Sequence, residues 1–135
     1  MPRANGTFRV KLNPLTLNND TADSSLGRLD IDKQFFGDLN ATSRGEMLSA
    51  GTAVKGSAGY VAIERVNGTL QDCTGSFVLQ HTGTMNRGAP KLEIVVVPDS
   101  GTDQLLGLSG TMTINKVDGV HTYEFDYTLE QAESV

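Results

Sequence analysis

The sequence predicts an all-β protein, a small closed antiparallel β-barrel of about eight to nine strands with at most one short helical turn. Apolar and polar residues alternate along several short segments, for example His121–Leu129, and a period of two is typical of strands. The 15 glycines are spread along the chain at turn-like spacings rather than clustered. An open sheet of this width would expose long edges, and closure into a barrel removes them.

Turn-forming residues separate the predicted strands. Asn67-Gly68 and Asp118-Gly119 are two-residue hairpin sequences, and Gly45 indicates a bulge within the third strand. Gln104–Leu106 can form one helical turn, with Thr102 as its N-cap. In chain order, the strands are predicted at Thr7–Leu12, Leu29–Phe35, Leu39–Ala50, Gly59–Val66, Thr69–Asp72, Ser76–Thr84, Lys91–Val97, Thr111–Val117 and His121–Leu129.

The chain length and composition indicate one globular domain. A chain of 135 residues with 38% hydrophobic and 20% charged residues has the size and composition of one folded domain, so we expect a single domain over residues 1–135 with an ordered core at about 6–129. The segment Asn18–Ser25 is a polar loop between the first two strands.

The charge and the cysteine content exclude several classes of protein. The net charge is −5 and no two basic residues are adjacent, so we expect no nucleic-acid binding and no attraction to anionic membranes. No segment has the roughly 20 apolar residues that a membrane span requires. The single cysteine, Cys73, is typical of a reducing compartment, and the first ten residues lack an apolar signal core. We therefore expect a cytoplasmic protein.

Four polar residues stand out in otherwise apolar strands: Glu46, Tyr60, Glu64 and His81. A carboxylate among apolar neighbours has a raised pKa unless it is paired, which suits a general acid or base, and a histidine can exchange protons near neutral pH. In the structural interpretation, Glu64 is paired with an Arg or Tyr and His81 caps the barrel end. Alternation alone does not tell which strand face lines the interior, so Gln80 is the alternative to His81.

The tyrosines have two interpretations as well. Tyr60, Tyr123 and Tyr127 either line a ligand pocket with their hydroxyls or fill the core with the hydroxyl at the rim. An eight-stranded barrel is either filled by side chains or holds one small ligand. Two histidines forty residues apart, without a second cysteine, are a poor pattern for a metal site, so we expect no metal and no cofactor.

Three predicted strands are apolar on both faces. These are Tyr60–Val66, Phe77–His81 and Leu92–Val97, whereas a sheet with one face in water should alternate. The outer face of these strands is therefore expected to be covered by a loop, the tail or another subunit. We expect a homo-oligomer that uses this surface.

One short motif points to a different chemistry. Asp99-Ser100-Gly101-Thr102 follows an apolar strand, as the Asp-Ser/Thr-Gly motif of aspartic peptidases does. A proline immediately precedes Asp99, and Asp-Ser-Gly is also ordinary turn sequence. Peptidase activity is a minor alternative.

Several longer segments together resemble a known family. They are Gly45–Leu48, Gly59–Arg65, Asn67–Leu70, Gly75–Gly83, Val96–Thr102 and Leu106–Gly110. As a set they resemble a bacterial family of unknown function whose members look like small barrels of the allene oxide cyclase type, and the resemblance extends from about Gly6 to Leu129. No reaction is assigned to that family. Allene oxide cyclases and dirigent proteins hold a reactive ligand in an apolar lumen, and this analogy concerns the fold only.

These observations lead to two hypotheses on function. In the first, the lumen binds a small apolar molecule, and Glu46, Tyr60, Glu64, His81 or Gln80, with Tyr127, orient it or transfer protons in an isomerase- or cyclase-like reaction. In the second, the chain is a non-enzymatic oligomeric interaction module. The volume of the lumen and the direction of Glu64 and His81 discriminate between them.

Overall fold

The computed structural model describes residues 2–17 and 25–129. Its eight strands form one closed barrel in which neighbours in sequence are antiparallel neighbours in space, so the predicted fold class is confirmed. Residues 18–24 of the predicted polar loop lie outside the described residues. The strands are β1 (Arg3–Leu15), β2 (Leu26–Gly37), β3 (Leu39–Gly51), β4 (Ala58–Leu70), β5 (Cys73–Asn86), β6 (Ala89–Val96), β7 (Leu108–Val117) and β8 (Val120–Leu129).

The barrel closes between the first and last strands. β1 pairs with β8 from Arg3 opposite Asp126 to Phe8 opposite His121, and Arg3 Nε donates a hydrogen bond of 2.7 Å to Asp126 Oδ1. Within the described residues the shortest ladder joins β6 and β7, where only two pairs of residues are in register, at Ile94 and Val95 of β6. This seam leaves most of β6 paired on one side only.

Alternation along the strands separates the interior from the surface. In β4, Ala62, Glu64 and Val66 are buried, whereas Val61 and Ile63 are each 50% exposed. Since side chains alternate between faces, the even-numbered residues of β4 line the lumen.

Packed side chains fill one half of the lumen. We call this half the lower half; it lies towards the β2–β3 and β4–β5 turns. The Phe77 and Phe125 rings stack at 5.8 Å, and Phe125 stacks on Tyr127 at 5.4 Å. Tyr123 Oη donates to Phe36 O and accepts from the Leu39 amide, each at 2.9 Å. Tyr123 therefore has a structural role. Other fully buried members of the core are Phe35, Leu39, Val66, Leu70, Leu79 and Leu105.

The predicted hairpin at Asn67-Gly68 was wrong, and so was the separate strand Thr69–Asp72. β4 continues through both residues to Leu70, and the turn lies at Gln71 and Asp72, whose φ angles are +41° and +75°. Two consecutive positive φ angles are the requirement of the tight hairpin turn. Gly68 serves a different purpose, since a Cβ there would lie 2.5 Å from the Ala41 Cα across the ladder.

The helical turn is present as a 3₁₀ turn, Asp103–Leu105. Thr102 is its N-cap residue, as predicted, but the Thr102 hydroxyl makes no capping hydrogen bond and instead accepts a 3.0 Å hydrogen bond from the Ser76 amide. Ser100 Oγ accepts one from the Val78 amide in the same way. These two side chains tie the β6–β7 connection to β5, and Asp99 beside them lies in an exposed turn.

The predicted bulge at Gly45 is absent, because β3 pairs residue for residue with β2 and β4 across this position. The glycine instead permits a close approach of strands: a Cβ there would lie 1.9 Å from Ile63 O and 2.6 Å from Glu64 Cα. Gly45→Ala should therefore lower the free energy of unfolding by about 1–3 kcal/mol. Denaturant unfolding followed by circular dichroism measures this loss.

Gly59→Ala is the matched control, since its Cβ would meet nothing nearer than 3.6 Å. Because alanine orders a strand better than glycine, this control should be neutral or stabilising by up to about 1 kcal/mol. Equal losses for the two variants would contradict the proposed close approach.

Candidate functional site

The upper half of the lumen holds a cavity of about 130 Å³. Every strand except β6 contributes to it, and all contributing residues belong to the inward-facing sets. The lining residues are Phe8, Val10, Leu12, Ile31, Lys33, Met47, Tyr60, Ala62, His81, Ile114 and His121. The cavity is thus largely apolar, with a small number of polar side chains.

A buried polar cluster forms one wall of the cavity. Glu64 is fully buried, and its Oε2 atom accepts hydrogen bonds from Lys33 Nζ at 2.8 Å and from His81 Nε2 at 2.5 Å. Its Oε1 atom accepts a bond of 2.6 Å from Ser43 Oγ. Four neighbouring strands, β2 to β5, thus each supply one member of the cluster.

Local register explains why these side chains meet. Ala62 lies opposite His81 across the β4–β5 ladder, and Glu64 is the next inward residue of β4. On its other side Glu64 lies opposite Gly45, which has no side chain to occupy the space between Ser43 and the carboxylate. The ammonium of Lys33 lies 5.0 Å and 5.3 Å from the ring centroids of Phe8 and Phe35, within cation–π distance.

Electrostatics keep Glu64 ionised. Burial alone would raise the pKa of this carboxyl, but the hydrogen bonds from His81, Lys33 and Ser43 and the positive charge of Lys33 outweigh it and lower the pKa to about 2. A carboxylate can only accept hydrogen bonds, so His81 Nε2 must carry the hydrogen between the two groups. In the neutral imidazole, Nδ1 is then an unprotonated acceptor.

Tyr60 lies on the other side of the imidazole. Its hydroxyl is 3.5 Å from His81 Nδ1, too long for a strong hydrogen bond. Burial, and next the charge of Glu64, raise the pKa of the Tyr60 hydroxyl, so it remains a donor. The Tyr60 ring lies against its cross-strand partner Gly83, where a Cβ would be 2.3 Å from the ring. Gly83 thereby sets the position of the hydroxyl.

The cavity adjoins an apolar opening at the upper end of the barrel. A groove of about 540 Å³ runs along the upper ends of β3 to β6 and shares Met47 and Tyr60 with the cavity. Three apolar side chains on inward faces remain exposed around this opening: Leu12 by 42%, and Met85 and Leu92 by 41% each. The lower half is thus packed, whereas the upper half is an apolar funnel above a charged wall.

Comparison with known proteins places this barrel in a family. Residues 4–127 match the sequence profile of the family described as "Protein of unknown function (DUF3224)". The chain belongs to the DUF3224 family. The resemblance to a family of unknown function is thereby confirmed.

A crystal structure of a DUF3224 protein of unknown function from Shewanella oneidensis MR-1 is similar over nearly the whole chain. The sequences are 51% identical, the match covers 98% of this chain and 99% of that one, and the TM-score is 0.92. No curated protein matches the chain. The likeness to allene oxide cyclases is not tested by these comparisons and stays an expectation.

Three of the residues selected from the sequence meet in this DUF3224 barrel. Tyr60, Glu64 and His81 lie together in the upper lumen. Gln80, the alternative to His81, is exposed on the outer face of β5 and is wrong as a lumen residue. Of the two structural partners expected for Glu64, Arg or Tyr, neither is correct, since Lys33 pairs with it.

The other two candidates lie elsewhere. Glu46 is on the outer surface, where its carboxylate pairs with Arg28 at 2.8 Å. Alternation along β3 turns Ser43 into the lumen and Glu46 outward. Tyr127 lies in the lower core, and its hydroxyl donates a hydrogen bond to the Gln71 side chain. Neither residue lines the cavity, so the structure does not bring them together with Tyr60 and His81.

Sequence reasoning missed Lys33, Ser43 and His121. Lys33 occupies an inward position in the alternation of β2, between Ile31 and Phe35, and a lysine at such a position was the available signal. His121 stacks on Phe8 at 4.9 Å and lines the cavity, and it follows the same alternation in β8. Ser43 has no distinguishing pattern in the sequence.

Two further observations concern the described part of the DUF3224 chain. Residues 2–17 and 25–129 include no group of three or more His, Cys, Asp or Glu side chains placed to hold a metal ion. In the same residues no helix has the length and apolar character to cross a membrane.

Acid should weaken this DUF3224 barrel through Glu64. The folded pKa of about 2 lies below the unfolded value of 4.5, so the stabilisation is complete above pH 4.5 and is lost as the pH falls from about 4.5 to about 2. At about 1.4 kcal/mol per pKa unit, the loss is about 3 kcal/mol. Urea unfolding at a series of pH values measures it. The double variant Lys33→Met/Glu64→Leu lacks the carboxylate, so its stability should fall less over the same range; an equal fall would contradict the assignment.

Proposed function

We propose that the barrel binds one small, mainly apolar molecule in its upper half, with a hydrogen-bond acceptor such as a carbonyl oxygen directed at the polar wall. The main support is the contrast between the two halves of the lumen. Aromatic and aliphatic side chains fill the lower half, whereas the upper half retains a cavity of about 130 Å³. Barrels of this strand number either fill their interior or hold one small ligand.

The dimensions limit the ligand to a compact group. An apolar cavity of about 150 Å³ in another protein accepts benzene. The present cavity has about the same size, so it suits a single six-membered ring or a short branched chain. A longer substituent would extend along the apolar groove past Met47 and Tyr60, where Met85 and Leu92 remain exposed.

The polar wall determines which end of the ligand enters first. Lys33 and Tyr60 both line the cavity and both donate hydrogen bonds. Glu64 accepts hydrogen bonds but does not line the cavity. An acceptor oxygen is therefore favoured at this wall, and a cationic group is disfavoured.

The cost of the polar cluster also supports a functional role. A buried ion pair such as Lys33–Glu64 often adds no net stability over apolar residues of similar volume, because both charges lose their hydration. Buried charged groups that add little to the free energy of unfolding are more common at functional sites, where their chemical role explains their presence.

Ligand binding is tested with two small probes, cyclohexanone, which carries an acceptor oxygen, and benzene, which does not. ¹H–¹⁵N and ¹H–¹³C NMR of the full chain should show cyclohexanone perturbing the His81 ring and the Ala62 methyl group. Ala62→Leu fills the cavity and should weaken binding by at least about tenfold, which follows from the loss of roughly 1.4 kcal/mol or more of contact. Val61→Leu, at the neighbouring outward-facing position, is the control and should leave affinity unchanged.

If no probe perturbs the upper-lumen residues, or if Ala62→Leu binds as well as the parent chain, the proposal is wrong. A stronger response to benzene than to cyclohexanone would remove the role given to Lys33 and Tyr60.

Self-association is a second candidate. Leu48, Val61 and Ile63 are each 50% exposed and adjacent on the outer face of β3 and β4, and the Arg28–Glu46 ion pair lies beside them. A second copy of this chain, related by a two-fold axis, would bury this apolar patch and exchange ion-pair partners at its rim. Sedimentation of the parent chain and of Val61→Thr/Ile63→Thr tests this. A monomer at micromolar concentration in both would exclude it.

A further inference from the structure

We propose that His81 transfers a proton to and from the carbon next to a bound carbonyl group, so that the barrel catalyses the enolisation of a small ketone and the shift of a neighbouring double bond. This inference rests on the proposed ligand site and names its substrate class. Three features carry it: the fixed tautomer of His81, the ammonium beside it, and the cavity that both groups line.

The first feature is the orientation of the imidazole. Glu64 Oε2 lies 2.5 Å from His81 Nε2, and the other carboxylate oxygen is held by Ser43 at 2.6 Å. A carboxylate that holds one ring nitrogen in its protonated form leaves the other nitrogen as the base, as in other carboxylate–histidine pairs. Here that nitrogen is Nδ1, and its only contact with a described polar side chain is the long one to Tyr60 at 3.5 Å.

The second feature is the ammonium group. Lys33 Nζ and His81 Nε2 bond to the same oxygen, Glu64 Oε2, so the cation and the imidazole lie on adjacent sides of one atom. A positive charge held in a buried site stabilises an oxyanion more strongly than it would in water. The Tyr60 hydroxyl lies on the other side of the imidazole, 3.5 Å from His81 Nδ1.

The third feature is the shared space. Lys33, Tyr60 and His81 all line the same cavity of about 130 Å³, whereas Glu64 stays behind them. A ketone whose oxygen bonds to Lys33 would therefore place its α-carbon within the space that the His81 side chain also borders. Glu64 and Ser43 act as positioning residues, since they do not line the cavity.

The chemical step balances within the site. His81 Nδ1 takes the α-proton, the C–H electron pair forms the new C=C bond, and the carbonyl π pair moves to the oxygen, which accepts a hydrogen bond from Lys33. The imidazolium then returns the proton to the α-carbon, or to the γ-carbon when a β,γ double bond is present. The first route exchanges the α-hydrogen with solvent, and the second gives a conjugated enone. No oxidant, reductant or co-reactant is consumed.

The test uses the full chain with two probes, cyclohexanone and cyclohex-3-enone. Loss of the cyclohexanone α-proton signal in D₂O is followed by NMR, and formation of cyclohex-2-enone by ultraviolet absorbance. We expect both reactions to be accelerated. His81→Gln should reduce each rate by about 100-fold or more, because a positioned general base contributes roughly 10²–10⁴-fold. Glu46→Gln alters an exposed carboxylate on the outer surface and should leave both rates unchanged.

Binding of cyclohexanone is measured in the same samples, so the two proposals fail in different ways. Saturable binding in the upper lumen with exchange at the buffer rate overturns the catalytic proposal and leaves the binding proposal intact. Unchanged rates in a folded His81→Gln variant also overturn it. Absence of binding overturns both.

The role of Glu64 as a positioning residue has its own readout. Glu64→Asp keeps a carboxylate and should retain more of the exchange rate than Glu64→Gln, with cyclohexanone affinities compared at equal folded fractions. If the two variants lose rate in proportion to their loss of folded protein alone, Glu64 has only a structural role.

Discussion

Replacing Glu64 with Gln should lower the free energy of unfolding by about 3–5 kcal/mol, because the variant leaves the Lys33 ammonium buried without its counter-charge. Lys33 is only 6% exposed, and Glu64 is its ion-pair partner at 2.8 Å. The amide would also replace a carboxylate that accepts hydrogen bonds from His81 and Ser43. Guanidinium unfolding followed by circular dichroism measures the loss.

Two variants make this prediction specific. Glu46→Gln is the same substitution in an exposed ion pair, where the Glu46 side chain is 51% exposed, and it should cost less than about 1 kcal/mol. Lys33→Met/Glu64→Leu removes both charges together and should recover most of the stability lost by Glu64→Gln, since apolar replacements of a buried pair are often neutral. If Glu64→Gln lowered the free energy of unfolding no more than Glu46→Gln does, the Lys33 ammonium would be in contact with water and the prediction would be wrong.

Phe35→Ala should be comparably damaging, with a loss of about 3–5 kcal/mol. The Phe35 side chain is fully buried in the lower core, 5.5 Å from the Tyr123 ring in an edge-to-face contact and 5.9 Å from the Phe8 ring. It also lies beneath the Lys33 ammonium, so its removal both creates a cavity and removes a cation–π contact. Thermal and denaturant unfolding would give the magnitude.

The next residue provides the control for this substitution. Phe36 points to the outer surface, where the Arg9 guanidinium lies 5.6 Å from its ring centroid. Phe36→Ala removes the same number of atoms from a half-buried position, and we expect a loss of about 1 kcal/mol or less. Equal losses at the two positions would mean that the inward and outward faces of β2 are wrongly assigned.

The fold could be predicted from the sequence because its main determinant is local. Alternation in β8, from His121 to Leu129, is clean and needs no knowledge of neighbouring strands. The hairpin at Asn67-Gly68 was predicted wrongly because Asn-Gly is typical of two-residue turns, whereas here a contact with a neighbouring strand accounts for the glycine. Gly68 is needed for the approach of Ala41, which is distant in sequence, and the turn is made instead by Gln71 and Asp72.

The site was only partly predictable for a related reason. Glu64 and His81 were noticeable because each interrupts an apolar strand. Glu46 interrupts an apolar pattern in the same way but faces outward. When both faces of a strand carry apolar and polar residues, its own sequence does not show which face points into the barrel. Lys33 was missed because its importance comes from Glu64, two strands away, and only the register of β2, β3 and β4 brings them together.

The pairing of β1 with β8 has a consequence for how the chain reaches its native state. Arg3 and Asp126 form an ion pair across 123 residues of sequence, and they belong to the ladder that closes the barrel. During synthesis one edge of β1 stays unpaired until β8 has left the ribosome. All-β domains that depend on non-local pairing fold in roughly milliseconds to seconds, so we expect closure of this barrel to be slow. A nascent chain arrested before Val120 would present two open edges, and those edges are where intermolecular strand pairing would begin.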